Sequence, residues 1–322
     1  METVNCQTPS QTPSQARPGT ALVPCEPDSA IWSRDGVFDF GRRVMDPQTQ
    51  RDWGSSLFES GLGTTNYESR GPSNGLPVMM IHGSAGPMMI WEPTLDALVK
   101  AGMRGVRYDL YGRGYSSRPT RPYDLALYGR QLVDLMDHLA IDRADLVGSS
   151  MGCLIAAHVA VQLPNRVRRI CLNGPAGWPI ETPPAAAFLH APFIGNLLMW
   201  LLGDRILVRH VTKYLHRPES FPEVIRDYAE QLEYRGFKRA ILSTLRHMPI
   251  TDFSVGYRAL GQLEIPVLVT WGREDRTFPV RHIEAARALM PCGEFLVFDG
   301  AAHLPMYEAH DQVTPRIVSF LS

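Results

Sequence analysis

Five consecutive residues, Gly148-Ser149-Ser150-Met151-Gly152, satisfy the pattern G-x-S-x-G. A serine in that setting can serve as a nucleophile if the chain turns sharply at it, from a strand into a helix, leaving its hydroxyl exposed above a sheet. The flanking residues have that character. ADLVGS (144–149) reads as a strand, and MGCLIAAHVAVQL (151–163) reads as a helix of small and apolar side chains stopped by Pro164. Glycines on either side are needed where side chains would meet neighbouring backbone, and a helix N-terminus favours developing negative charge.

Serine is a poor nucleophile until a base takes its proton. Among ten histidines, His303 in DGAAHLP follows the strand-like EFLVF and precedes the last helix. That puts it at the carboxyl edge of a sheet, on the side of the serine turn. His310 suits a solvated helix face, His158 points away within the helix after the serine, and His190, His210, His216 and His247 lie in a helix-rich stretch. An imidazole base needs a carboxylate to hold its tautomer and stabilise the imidazolium. Asp275, in WGREDRTFP after the strand IPVLVTW, is the candidate; Glu274 beside it is the alternative and is expected to face solvent. NGPAGW (173–178), after an earlier strand, is the other place for such a group, and it contains no acid. A tetrahedral intermediate needs N–H donors aimed at its oxyanion. The Met151 backbone N–H is expected to be one. The Ser84 backbone N–H, in His82-Gly83-Ser84-Ala85-Gly86, is the other, with Ala85 as second choice and His82 bracing the loop.

These residues must be positioned by alternating strands and helices. PVMMI (77–81) is a short apolar run. Met88 to Lys100 is helical, Arg104 to Asp109 is a strand, and Asp124 to Ala140 is a helix with apolar residues at spacings of three and four. Val167 to Asn173 is a further strand. Ile31 to Val44 and Gly63 to Ser69 carry weaker strand character. The pattern implies a mostly parallel sheet with helices on both faces. From Gly174 to Leu263 it gives way to helical patterns, including Ile194 to Leu202, Ile206 to Leu215 and Val224 to Arg235, before strands return at Ile265 to Trp271 and Glu294 to Phe298. The expected organisation is a disordered tail at 1–28, an α/β core at 29–173 and 264–322, and an inserted helical unit at 174–263.

The order nucleophile, acid, histidine, together with HGSAG, DLYGRG, GSSMG, GREDRTFP and GAAH, resembles the α/β-hydrolase superfamily over about residues 60–322. The resemblance implies an α/β-hydrolase fold: a mostly parallel, eight-stranded central sheet with helices on both faces and an inserted helical cap over the site. DLYGRGYSSRP resembles the corresponding segment of esterases, monoacylglycerol-lipase-like proteins and meta-cleavage-product hydrolases, and Asp109 and Arg113 are expected to hold a turn there. Serine at 150 removes the nucleophile that haloalkane dehalogenases and epoxide hydrolases use. Meta-cleavage hydrolases usually show Asn before the serine and Trp after the histidine, where this chain has Ser149 and Leu304. Cofactor-free haloperoxidases share the triad and YGRGYSSRP.

The function expected is therefore a serine esterase acting on a carboxylic ester, a lipid-like ester or a lactone, with no metal and no cofactor. Carbon–carbon bond hydrolysis by the same triad, and a slow-turnover ligand receptor on the same fold, are the alternatives. The partner is a small hydrophobic molecule. Phe188, Phe193, Leu197 and Trp200, within a strongly apolar stretch, are expected either to wall the substrate pocket or to pack within the cap.

Composition bounds the remaining classes. Of 322 residues, 44% are hydrophobic, and 32 Lys and Arg against 33 Asp and Glu leave a net charge of -1, which argues against nucleic acid as a partner. Five dispersed cysteines without a CxxC pair argue against a disulfide framework or zinc cluster and favour a reduced, cytoplasmic setting. Residues 2–20 contain a QTPS repeat and lack the basic start and apolar run of a secretory signal. The apolar stretch from Ala191 to Leu202 is shorter than the roughly 20 residues of a membrane span. No GxxxxGK[ST] or strand-placed GxGxxG supports nucleotide binding.

Overall fold

The computed structural model describes residues 41–52, 55–84, 86–180, 187–191 and 193–322. The expected tail at 1–28, the strand character of residues 31–40, and Ala85 lie outside the described residues. Eight strands form one sheet: β1 (Ser56–Ser60), β2 (Gly63–Arg70), β3 (Pro77–Ile81), β4 (Arg104–Tyr108), β5 (Ala144–Ser149), β6 (Val167–Asn173), β7 (Val267–Gly272) and β8 (Glu294–Phe298). Their spatial order is β1-β2-β4-β3-β5-β6-β7-β8. The β1–β2 and β2–β4 pairs are antiparallel and the remaining pairs parallel. The hairpin edge escaped the sequence reading in part, because SLFES is short and polar and leaves β1 only half-buried.

Around the sheet lie α1 (Pro47–Asp52), α2 (Glu92–Lys100), α3 (Leu125–His138), α4 (Met151–Gln162), α5 (Ala187–His190), α6 (Ile194–Thr212), α7 (Pro222–Gln231), α8 (Phe237–His247), α9 (Ser254–Gly261), α10 (Ile283–Leu289), α11 (Pro305–Glu308) and α12 (His310–Leu321). The apolar runs of the central strands follow from burial on both faces. In β3, Met79 and Ile81 belong to one core cluster, and Val78 and Met80 to the cluster on the opposite face. The stretch read as a helix from Met88 begins as a 3₁₀ turn (Met88–Trp91) and becomes α-helical at Glu92. Helix α3 starts where Asp124 caps it, its side chain accepting the Leu127 N–H at 2.8 Å. Helix α4 is apolar all round because it is central, packed on β5, β6, α3 and α9.

Among the described residues between β6 and β7 the regular elements are all helices, and α6 packs against both α7 and α8. The two patterns at 194–202 and 206–215 form one 19-residue helix, α6. Gly203 does not break it. A Cβ there would stand 2.9 Å from the Met199 sulfur and 3.3 Å from Lys238 Cδ, so glycine lets α8 approach closely. Helix α9 turns back onto α4 and α10 of the sheet layer. Cys153 and Cys171 are buried free thiols. Cys292 is disulfide-bonded, so the expectation of reduced cysteines does not extend to it. Among the described residues no helix is long and apolar enough to cross a membrane.

Candidate active site

At the carboxyl end of β5 the chain reverses into α4 at Ser150, whose φ of 53° and ψ of -116° lie where L-residues rarely go. The surroundings enforce that turn. The Ser150 N–H donates to Asn173 O at 2.9 Å, and its carbonyl accepts the Cys153 N–H at 3.0 Å. A side chain at Gly152 would begin 2.1 Å from Ile81 O, and one at Gly148 would begin 2.6 Å from Gly152 O. The strand-to-helix turn read from the sequence is therefore present, with the glycines where backbone meets backbone.

Ser150 Oγ lies 2.8 Å from His303 Nε2, and His303 Nδ1 lies 2.8 Å from Asp275 Oδ2. All three residues are buried. Asp275 is held by its own loop: Oδ1 accepts the N–H groups of Thr277 at 2.8 Å and Phe278 at 2.9 Å, leaving Oδ2 for the imidazole. Glu274 points to the outer edge, where Oε2 accepts the Gly300 N–H at 3.0 Å. The His303 ring packs between Tyr214, with centroids 4.8 Å apart, and Phe278, at 5.6 Å. The His303 backbone N–H donates to Tyr214 O at 2.9 Å.

The sequence reading missed a carboxylate that clamps this loop. Glu308 Oε1 accepts the N–H groups on both sides of His303, from Ala302 at 2.9 Å and Leu304 at 3.4 Å, while Oε2 accepts the His216 N–H. It therefore ties the histidine loop to the turn after α6. Burial pushes its carboxyl up to about 7 against the partial relief those N–H groups provide. The available signal was an acid five residues after the histidine.

The loop at His82 to Ser84 lies against the nucleophile: a Cβ built on Gly83 would be 3.0 Å from Ser150 Cβ. His82 braces it, as expected. Its Nδ1 donates to Gly83 O at 2.7 Å, and its Nε2 accepts the Leu110 N–H at 2.9 Å. Burial pulls the ring down to about 4, so it stays neutral at pH 7 in the tautomer those two bonds require. Because Gly83 O and the Ser84 N–H share one peptide unit and point oppositely, His82 also aims the Ser84 donor. Met151, as the first residue of α4, has an N–H without an intrahelical acceptor. Asp109 holds its turn by accepting from Met88 N, Tyr115 N and Asn66 Nδ2 at 2.8–2.9 Å. The Arg113 side chain leaves that turn for Ser84 O and Thr244, so its expected turn-holding role is corrected to its backbone alone.

The cavity over Ser150 has a volume of about 10 Å³ and is lined by Ile90, Val211, Tyr214, Val224 and Leu304 beside the Gly83–Ser84 loop and His303. That is roughly the space of one water. Phe188, Phe193, Leu197 and Trp200 do not reach it. They are 55%, 55%, 42% and 42% exposed, on α5, on the residue before α6, and on the outer side of α6. The pocket-wall expectation for these four is corrected. A helix with apolar residues all round offers no periodicity to say which side faces inward, and the inward side is the one carrying Val211.

A sheet of this order, with Ser150, His303 and Asp275 gathered at its carboxyl edge, defines an α/β hydrolase. The family model for the alpha/beta hydrolase fold matches residues 77–310, more than half of the chain, and the chain belongs to that family. It is 28% identical over 285 residues to a 2-hydroxymuconate semialdehyde hydrolase of Pseudomonas putida, covering 86% of this chain and 96% of that protein. It is 27% identical over 277 residues to a 2-hydroxy-6-oxo-6-phenylhexa-2,4-dienoate hydrolase of Burkholderia cepacia, covering 83% and 95%. Among solved structures, the enol-lactonase from Burkholderia xenovorans LB400 superposes with a TM-score of 0.71 at 22% identity, covering 83% of this chain and 99% of that one. A thermophilic esterase from Thermogutta terrifontis gives 0.69 at 23%, covering 83% and 96%. At those identities the two structures speak to the fold alone.

Proposed function

We propose that the protein is a serine hydrolase cleaving a carboxylic ester or lactone through an acyl-enzyme on Ser150. The observation that carries this reading is the unbroken buried chain Ser150 Oγ, His303 Nε2 and Nδ1, Asp275 Oδ2, with both links at 2.8 Å. Ser150 attacks the carbonyl as His303 Nε2 takes its proton. Asp275 holds the proton on Nδ1 and stabilises the imidazolium. The N–H groups of Ser84 and Met151 receive the oxyanion. His303 then protonates the leaving group and activates the water that frees the acid. No cofactor enters these steps. In this reading residues 174–263 act as a cap between the core segments 29–173 and 264–322, with α6 and α7 closing the site through Val211 and Val224. The substrate's reacting end is uncharged, because among the described residues the cavity lining holds no Lys, Arg, Asp or Glu and an unpaired carboxylate there would be desolvated.

Carbon–carbon bond hydrolysis is the second reading, favoured by the similarity to the two hydrolases of ring-cleavage products. Against it stand Ser149 and Leu304 in place of the Asn and Trp usual for that group, and the lack, among the described residues, of a Lys or Arg in the cavity lining. The test is a panel of neutral p-nitrophenyl esters from acetate to octanoate, a lactone, and a 2-hydroxy-6-oxo-dienoate. The esters or lactone are expected to turn over with a burst of released alcohol, and kcat/KM to rise by up to about fourfold per methylene until the pocket is full. Turnover of the dienoate alone would reverse the assignment, and a burst followed by near-arrest would mark a receptor.

A further inference from the structure

Arg113 is 1% exposed, yet among the described residues no carboxylate lies within 4.0 Å of its guanidinium. Its Nε–H donates to Ser84 O at 2.9 Å and its Nη2–H to Thr244 Oγ1 of α8 at 2.9 Å. Nη1 is buried with no hydrogen-bond partner. Asp109, the acid of the same turn, is already occupied by three other donors. A buried cation without a counter-charge is costly, and a neutral side chain would fill the same space more cheaply. The turn does not need the guanidinium either, since Arg113 contributes to it through backbone bonds to Leu110 O and from the Ser116 N–H.

The two bonds have a shared consequence. Ser84 sits between two peptide units. The one before it is held by His82 through Gly83 O, and the one after it by Arg113 through Ser84 O. We infer that Arg113 is a positioning residue of the oxyanion hole. It pins the Ser84 carbonyl, anchors that loop to α8 through Thr244, and leaves an unanswered positive charge beside the place where negative charge forms. The inference rests on the acyl-transfer reading above. In the resting protein, among the described residues, the charge meets the Phe237 ring at 6.0 Å and no carboxylate within 4.0 Å; in the tetrahedral intermediate the oxyanion answers it, and a contact stronger in the transition state than in the ground state raises kcat rather than lowering KM.

The test compares Arg113→Met, Arg113→Lys and Thr244→Val with wild type. It measures melting temperature, kcat and KM on a neutral ester, and inhibition by a trifluoromethyl ketone, whose adduct with Ser150 carries an oxyanion. Losing a direct oxyanion donor costs about 10²–10³ in kcat. One step removed, Arg113→Met is expected to lower kcat about 10–100-fold with KM changed by less than about threefold, and ketone affinity should fall in parallel with kcat/KM. Lysine keeps the charge without the planar fork and should fall several-fold below wild type, with Thr244→Val losing less. Wild-type kcat in folded Arg113→Met, a loss confined to KM, or unchanged ketone affinity would overturn the inference. Should the methionine variant fail to fold, wild-type kcat and ketone affinity in Arg113→Lys would overturn it instead. An inactive wild type on every ester defeats the acyl-transfer reading and this inference together. An active wild type beside an unaffected Arg113 variant defeats this inference alone.

Discussion

Asp275→Asn is a near-isosteric change with a defined consequence. Asn Oδ1 keeps the Thr277 and Phe278 N–H groups that now hold Asp275 at 2.8 and 2.9 Å, so the loop stays in place. The amide nitrogen then replaces Oδ2 at 2.8 Å from His303 Nδ1 and presents a donor where the imidazole needs an acceptor. The ring responds by moving its proton to Nε2, the atom 2.8 Å from Ser150 Oγ, which can then no longer take the serine's proton. A wrong-tautomer change of this kind costs about 10⁴ in kcat in the related triad, or about 5.5 kcal/mol of barrier. The assay is steady-state hydrolysis of a p-nitrophenyl ester at pH 7–9, with the melting temperature recorded for each variant. Glu274→Gln, one residue away and with its side chain hydrogen-bonded only to the Gly300 N–H among the described residues, should stay within about threefold of wild type. A folded Asp275→Asn protein within tenfold of wild-type kcat, or a larger loss in Glu274→Gln, would refute the reasoning.

Two further changes probe the clamp and the pocket. In Glu308→Gln one face of the amide must donate where the His216 N–H also donates. We expect a stability loss of about 1.5–3 kcal/mol, read by denaturant titration, and a several-fold fall in kcat as the His303 loop loosens. The same variant should flatten the pH dependence of stability. Burial raises the native carboxyl from 4.5 to about 7, so across that window the folded state holds a proton the unfolded chain has released, and wild-type stability falls as pH rises. A wild-type melting temperature that rises from pH 5 to 7 in step with an unchanged variant would contradict that assignment. Val224→Ala should raise kcat/KM for hexanoate relative to acetate by enlarging the cavity, while Trp200→Ala, on the exposed side of α6, should leave that ratio unchanged. The opposite pattern would return the pocket to the outer apolar stretch.

What the sequence disclosed follows from how local each signal is. The Ser150 turn is written in contiguous residues: strand, two flanking glycines and helix all lie within 144–163. His303 and Asp275 follow because each stands in a short loop after an apolar strand, and such loops share one edge of a parallel sheet. β8 at 294–298 and β6 at 167–173 coincide with the ranges read from apolar runs. Where the signal depends on which side of a helix meets another element, reading failed. α6 is apolar on several sides, so its exposed Leu197 and Trp200 and its inward Val211 look alike in sequence. Glu308 and Arg113 were equally opaque, for a different reason. Their roles are made by contacts with backbone at Ala302, His216 and Ser84, and a backbone partner leaves no mark in residue type. Arg113 is buried and Glu308 half-buried, against the ordinary preference of both side chains for solvent.

The central claim is that Ser150 carries the acyl group, and intact-protein and peptide mass spectrometry test it most directly. The protein is quenched in acid within the burst phase of p-nitrophenyl ester hydrolysis, alongside Ser150→Ala. The account predicts a single added acyl mass on the peptide containing Ser150 in wild type, stoichiometric with the burst, and neither adduct nor burst in Ser150→Ala at an unchanged melting temperature. An adduct on another residue, or wild-type turnover in folded Ser150→Ala, would contradict it.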